Sequence, residues 1–372
     1  MINRVLEKTV EKRIGKGKAI ILMGPRQVGK TTLIKSLFPN NEDTLWLNGD
    51  DPDVNLLFEN MSATRLQSII GNKKLVVIDE AQRISDIGVR LKLITDQMPE
   101  VQLIATGSSS FDLANKINEP LTGRKWEYKM FPVSFEEMTS QHGFLEEKRL
   151  IPHRLIYGYY PEVVTHPGEE KDVLKQLSDS YLYKDILIWE QIKKSDKLLK
   201  LLQALAYQVG CQVSYAEIGQ LCGLDYKTVE KYIGLLEQTF VIFRLPSFNR
   251  NLRNELRSSR KVYFVDNGIR NALIADFRQI ELRNDVGALW ENFLISERIK
   301  KLNYHQIWAN SWFWRTQQQK EIDYLEEKDG TIAAYEFKWN PGTKYKYPKQ
   351  FAEAYPNSTF EVIHRENFEE FI

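Results

Sequence analysis

Cysteine is scarce. Cys211 and Cys222 are the only two in 372 residues, too few for a disulfide framework and without the paired spacing of a zinc site. Histidine is scarce as well: His142, His153, His166, His305 and His364 are scattered and fit neither a metal-ligand nor a triad spacing. No apolar run approaches the roughly 20 residues that a membrane span requires. The segment Met1 to Lys18 mixes charge with short apolar steps and lacks the core of a signal peptide. Charge of one sign is lacking too, with 51 Lys+Arg against 50 Asp+Glu and a formal net charge of +1. That balance excludes a polybasic nucleic-acid coat and an acidic disordered tail. There is no internal repeat, low-complexity segment or long flexible linker. These absences point to a cytoplasmic protein of a reducing compartment with no membrane partner. The length is a soft prior for two or three domains, and 42% hydrophobic and 12% aromatic residues suffice for their cores.

Three regimes follow one another along the chain. Up to about Ser140, the runs Ala19–Met23, Leu45–Leu47, Leu75–Ile78 and Val101–Ala105 read as buried strands separated by helical patterns, which predicts a parallel α/β sheet. From about Lys148 to Phe248 the pattern is helical, with Leu198, Leu199, Leu201, Leu202, Leu205 and Ala206 at helix spacing. From Lys261 on, strands are expected at Val262–Val265, Ile307–Trp308, Trp312–Trp314, Ile322–Leu325 and Ala333–Trp339, with a helix around Trp290–Ile299 and a turn at Lys328-Asp329-Gly330. The expected domains are therefore 1–145, 146–260 and 261–372.

The first regime carries a phosphate-binding loop. Gly24-Pro25-Arg26-Gln27-Val28-Gly29-Lys30-Thr31 fits G-x-x-x-x-G-K-[ST] after a strand and before a helix. Glycines let backbone N–H groups wrap closely around phosphates, and the following helix N-terminus attracts anions. Lys30 supplies a point charge and Thr31 a magnesium ligand; Gly24 through Thr32 are the ATP-binding candidates. The strand Leu75-Val76-Val77-Ile78 ends in Asp79-Glu80. Asp79 would hold hydrated magnesium, and Glu80 would polarise the attacking water. A further strand ends at Thr106-Gly107-Ser108, where Thr106 and Ser108 would sense the terminal phosphate or cap the next helix. Arg124, in Leu121-Thr122-Gly123-Arg124, would stabilise transition-state charge in cis or from a neighbouring subunit, which makes a homo-oligomer a candidate arrangement.

This order of motifs, continued by Phe131-Pro132-Val133-Ser134-Phe135-Glu136-Glu137 and Tyr157-Gly158-Tyr159-Tyr160-Pro161-Glu162-Val163 through Tyr181 to Asp185-Ile186, resembles the prokaryotic AAA-type P-loop ATPases that carry a C-terminal DUF4143-like domain. The resemblance covers most of the chain. It implies a magnesium-dependent ATPase fold, a role for Arg124 and a winged-helix element in the middle segment. Tyr159 stands where a second glycine is common.

In that middle segment Ser214-Tyr215-Ala216-Glu217 opens a helix with Ile218 and Leu221. Gly223 turns the chain, and Asp225 caps a second helix bearing Val229, Ile233 and Leu236. This is a helix-turn-helix pattern, with Phe240–Leu245 as its wing. In a DNA reader, Tyr226, Lys227, Thr228 and Lys231 would face the nucleic acid; in a packing module they would not. Between Ile192 and Lys261 there are 12 Lys+Arg against 6 Asp+Glu. The basic residues from the wing onward are Arg244, Arg250, Arg253, Arg257, Arg260 and Lys261, a candidate phosphate-binding surface hidden by the overall balance.

The last regime contains Asp323 and, on the next strand, Glu336-Phe337-Lys338. Strand alternation puts Glu336 and Lys338 on one face. Asp323 and Glu336 would bind magnesium, Lys338 would position water, and Glu291 on the preceding helix would complete the acidic cluster. This resembles the restriction-endonuclease-like superfamily. The whole reads as an α/β protein: a P-loop NTPase sheet, a helical and winged-helix segment, and a restriction-endonuclease-like α/β end. Its expected function is Mg-dependent ATP binding and hydrolysis coupled to a DNA-binding, nuclease-like module. The alternative is an ATP-controlled switch whose C-terminal part binds DNA or a protein without cleaving.

Overall fold

The computed structural model describes residues 2–39, 42–59, 62–108, 117, 120–180, 195–249, 260–316, 318–343 and 345–372. The chain divides into two compact units, Met1–Val133 with Gln238–Phe240, and Ser134–Glu237 with Val241–Ile372.

The first unit is built on five parallel strands: β1 (Ala19–Met23), β2 (Thr44–Asn48), β3 (Leu75–Asp79), β4 (Gln102–Gly107) and β5 (Lys125–Lys129). Every residue of β1 is buried, as expected for a strand covered on both faces, where apolar runs replace alternation. The spatial order is β2-β3-β4-β1-β5. The chain therefore inserts β4 between the strand before the P-loop and the strand ending in Asp79. Strand β5 was not expected: Lys125, Glu127 and Lys129 alternate with Trp126 and Tyr128, a charged pattern that suits a sheet edge.

The second unit is mainly helical up to Glu237, with the short strand Gln212–Val213 within that stretch, and its remaining strands follow in two small sheets. Helix Tyr215–Cys222 is capped by Ser214, whose hydroxyl accepts from the Glu217 N–H at 3.4 Å, and stops at Gly223 in the left-handed region. Asp225 caps helix Tyr226–Gln238 by accepting the Thr228 N–H at 3.0 Å. Strands β6 (Gln212–Val213), β7 (Ile242–Pro246) and β8 (Arg260–Phe264) form an antiparallel sheet with β8 in the middle. Helix Val286–Tyr304 precedes a mixed sheet of β9 (Asn310–Arg315), β10 (Glu321–Lys328), β11 (Thr331–Phe337) and β12 (Thr359–Ile363), in the order β12-β11-β10-β9.

The hairpin between β10 and β11 turns at Asp329 and Gly330, both at positive φ, as a two-residue turn requires. The expected strand at Ile307–Trp308 is not one. Trp308 is 88% exposed and β9 begins at Asn310, so the apolar pair there has no sheet to fill. Among the described residues no helix is long and apolar enough to cross a membrane.

Candidate functional site

Parallel strands bring their carboxyl ends to one edge of a sheet, where ligands of such folds bind. At that edge of the first unit the chain leaves β1 at Met23, wraps through Gly24–Gly29 and enters helix Lys30–Leu37. A side chain at Gly24 would lie 2.0 Å from the Met130 carbonyl oxygen, so the loop can pass there only as glycine. Gly29 caps the helix at φ 93°. Lys30 is buried and its ammonium donates to the carbonyls of Gly24 at 2.9 Å and Pro25 at 2.8 Å. The back of the loop is braced from the N-terminal segment. Arg4 donates to the Val28 carbonyl and the Phe131 carbonyl, each at 2.6 Å. Nothing in the sequence pattern marks Arg4, because its partners are backbone atoms far along the chain.

Strands β3 and β4 bring the remaining groups together. Thr31 donates its hydroxyl to Asp79 Oδ2 at 2.8 Å. Thr106, at the end of β4, donates to the other oxygen of Asp79 and accepts the Glu80 N–H at 3.1 Å. Glu80 stands in the left-handed region at φ 49°. Its carboxylate accepts from Gln82 Nε2 at 2.5 Å, and the same amide reaches Ser108 Oγ at 2.9 Å. Thus Thr31, Asp79, Glu80, Thr106 and Ser108 form one hydrogen-bonded network. Gln82, to which the sequence reading gave no role, links two of its members. Pro25, Arg26, Gln27, Val28 and Thr32 lie on the loop and the first helical turn.

Arg124 is not among them. It precedes β5, whose Lys125 pairs with Ala19 at the start of β1 while Lys129 pairs with Met23 at its end. The strands are parallel, so Arg124 stands at the opposite edge of the sheet, about five residues or roughly 17 Å from the loop along the strand. There it donates to Asp96 at 2.5 Å. The structure does not bring it to the phosphate loop of its own chain.

In the second unit a bulge in β10 shifts its register against β9 between Ile322 and Leu325. Bulges break alternation and re-aim side chains; here Ile322 through Glu326 are buried in succession. Asp323 Oδ2 accepts the Phe337 N–H of β11 at 2.9 Å. Lys338 Nζ donates to Glu336 Oε1 at 2.5 Å, whereas Glu336 Oε2 is buried without a hydrogen-bond partner. Burial, with Glu291 and Glu336 nearby, raises the pKa of Asp323 well above the ordinary range against the opposing Lys261 charge. Burial also raises that of Glu336, and Lys338 opposes it. Glu291 is held at the cluster by its own partners: its Oε1 accepts from Lys261 at 3.0 Å and from the Tyr263 hydroxyl at 2.6 Å. Among the described residues no group of three or more His, Cys, Asp or Glu side chains is arranged to hold a metal ion.

The expected basic surface is altered by the same cluster. Lys261 is 2% exposed and faces carboxylates, so it adds nothing to a surface patch. Arg244 is paired with Glu237 at 2.9 Å. Arg250, Arg253 and Arg257 lie outside the described residues. On the second helix of the helix-turn-helix pair, Tyr226, Lys227 and Lys231 are exposed, while the Thr228 hydroxyl is used on Asp225 at 2.6 Å.

Comparison with known proteins finds three families along the chain. Residues 16–139 match the AAA domain family, residues 148–284 a domain of unknown function (DUF8612) and residues 286–369 a second one (DUF4143). An uncharacterised protein of Mycobacterium tuberculosis is 25% identical over 338 residues, covering 88% of this chain and 72% of its own. Another, of Methanocaldococcus jannaschii, is 21% identical over 376 residues, covering 94% and 82%. Among solved structures, a Walker-type ATPase of Pyrococcus abyssi superposes with a TM-score of 0.51 at 16% identity, covering 74% of this chain and 96% of that one, which shows a shared fold. The chain thus carries an AAA-type P-loop ATPase domain followed by DUF8612 and DUF4143 domains.

Proposed function

We propose that the first unit binds ATP with magnesium and hydrolyses it. The observation that carries this reading is the single network joining Thr31, Asp79, Thr106, Glu80 and Gln82 at the carboxyl edge of the sheet. Its donors fit magnesium, since a hydroxyl and a carboxylate 2.8 Å apart are hard oxygen ligands. Such an ion would neutralise phosphate charge. Lys30 exchanges its two carbonyl partners for phosphate oxygens. Thr106 fixes the Asp79 carboxylate and the Glu80 backbone together, and Gln82 aims the Glu80 carboxylate at water. Phosphate release measured with the full chain tests this. Lys30→Ala should lower ATP affinity at least about tenfold, the cost of one lost charge-assisted contact, and an unchanged affinity would remove the loop from nucleotide binding.

A second reading concerns the second unit and is favoured by one observation, the buried, unpartnered Glu336 Oε2 beside Asp323 and Lys338. A carboxylate oxygen without a donor suits a divalent cation. This supports a cation-dependent phosphodiesterase acting on DNA, in a fold resembling the restriction-endonuclease-like superfamily, with the exposed Tyr226, Lys227 and Lys231 of the winged-helix element and the basic segment after it as DNA contacts. Incubation of linear, circular and single-stranded DNA with Mg2+ or Mn2+ decides it. Cleavage is expected from the wild type and lost in Asp323→Ala and Lys338→Ala. No cleavage leaves the ATP-controlled binding switch, which is read as partner affinity with and without ATP.

A further inference from the structure

Arg4 stands just ahead of helix Val5–Glu11 and is buried within the first unit. Its guanidinium stays charged at any working pH. Nη1 donates to the Val28 carbonyl and Nη2 to the Phe131 carbonyl, each at 2.6 Å. Phe131 follows Met130, whose N–H donates to the Met23 carbonyl at 2.7 Å where β1 ends. One side chain therefore ties the segment after β5 to the last turn of the phosphate loop. A Cβ placed on Gly29 would lie 3.8 Å from Nη1, so the guanidinium rests against Gly29 as well.

The orientation of one peptide follows from this. The peptide bonds of the described residues are all trans, so the Val28 C=O and the Gly29 N–H, which share one planar unit, point in opposite directions. With the carbonyl held by Arg4, the Gly29 N–H faces away from the guanidinium, and no described group accepts it. Gly29 also caps helix Lys30–Leu37, so this N–H stands beside the first free N–H groups of that helix, which attract anions. In such a loop the backbone N–H groups hold the α- and β-phosphates, while the lysine reaches the β- and γ-phosphates. We propose that Arg4 is a positioning residue for nucleotide binding: by holding the Val28 carbonyl it fixes the Gly29 N–H toward the bound phosphates. The inference rests on the ATP-binding reading above and deepens it. A guanidinium suits the task because its rigid fork engages two fixed carbonyls at once, whereas an ammonium is a point charge on a flexible stem.

The test is equilibrium binding of ATP and of ADP to the full chain, comparing wild type with Arg4→Met, Arg4→Lys and Lys30→Ala. Arg4→Met should weaken both nucleotides by at least about tenfold, and by the same factor. Its turnover at saturating ATP should stay within about twofold of wild type, because the lost contact serves substrate and transition state alike. Arg4→Lys keeps the charge without the fork and should recover only part of the affinity. Circular dichroism at the binding temperature shows whether each variant is folded. If Arg4→Met is not, Arg4→Lys is read alone, with binding at least about threefold weaker than wild type expected. Wild-type affinity in a folded Arg4→Met overturns the proposal even if its unfolding midpoint falls, because Arg4 then only fastens the N-terminal helix. Full recovery in Arg4→Lys overturns it too, since charge alone then suffices, as does a loss confined to ATP. Failure of the underlying reading looks different: wild type binds neither nucleotide, or Lys30→Ala binds as tightly as wild type, and either result takes the inference with it.

Discussion

Replacing Glu80 with glutamine will leave ATP binding in place and slow phosphate release by about 10²–10⁴-fold, the range that a positioned general base contributes. The geometry makes this substitution clean. The Glu80 backbone is held at φ 49° by the Thr106 hydroxyl at 3.1 Å. A side chain at Gly49, just past the end of β2, would come within 2.4 Å of its carbonyl oxygen, so the backbone there closes on it from the other side. A glutamine oxygen accepts from Gln82 as the carboxylate does, so the arrangement survives and only basicity is lost. Lys30 and Thr31, to which the proposed nucleotide contacts belong, lie on a different element and are untouched. Parallel measurement of ATP affinity and phosphate release checks the split, and turnover within about twofold of wild type would remove Glu80 as the water-polarising group.

Gly158→Ala will destabilise the second unit by about 3–5 kcal/mol, a size reserved for backbone strain combined with a clash. Gly158 ends helix Ile151–Tyr157 at φ 72°, ψ −157°, a region open essentially to glycine alone. An added Cβ would lie 2.1 and 2.4 Å from the two carboxylate oxygens of Asp266. That carboxylate cannot retreat. It is buried, accepts the Tyr159 N–H at 2.6 Å and caps helix Asn267–Leu273 through the Ile269 N–H at 3.1 Å. The helix it caps is equally constrained, since a side chain at Gly268 would meet the Tyr157 carbonyl at 2.1 Å. Urea unfolding monitored by tryptophan fluorescence gives the size of the effect. A loss under about 1 kcal/mol would mean that Asp266 can move.

That second prediction bears on what a sequence can reveal. The motif around Tyr157-Gly158-Tyr159-Tyr160 was visible as a resemblance, but its reason was not, because Asp266 lies over a hundred residues away and only the folded chain brings it beneath the glycine. The P-loop and the Asp79-Glu80 pair were legible because phosphate and magnesium chemistry dictates residue types at fixed local spacing. Thr106 and Ser108 were found as the polar end of an apolar strand, and the structure gives them partners. Arg124 illustrates the limit. Its position follows from the direction of β5, an edge strand whose alternating charges hid it, and no local pattern states which end of a sheet an arginine occupies. Lys261 read as one more basic residue after the wing, and its burial depends on carboxylates contributed by a helix and a strand further on.

The central place of β8 has a consequence for how the protein can be taken apart. Gln212–Val213 and Ile242–Pro246 do not pair with each other; each meets the strand Arg260–Phe264 lying between them. A fragment ending near residue 260 keeps the two outer strands and discards their shared neighbour, leaving two bare edges of the kind that seek strands from other chains. A fragment beginning there keeps a buried lysine strand with neither flank. The seam in the sequence is therefore not a seam in the molecule. Dissection, domain grafting or exchange between relatives has to carry residues 134–372 as one inheritance.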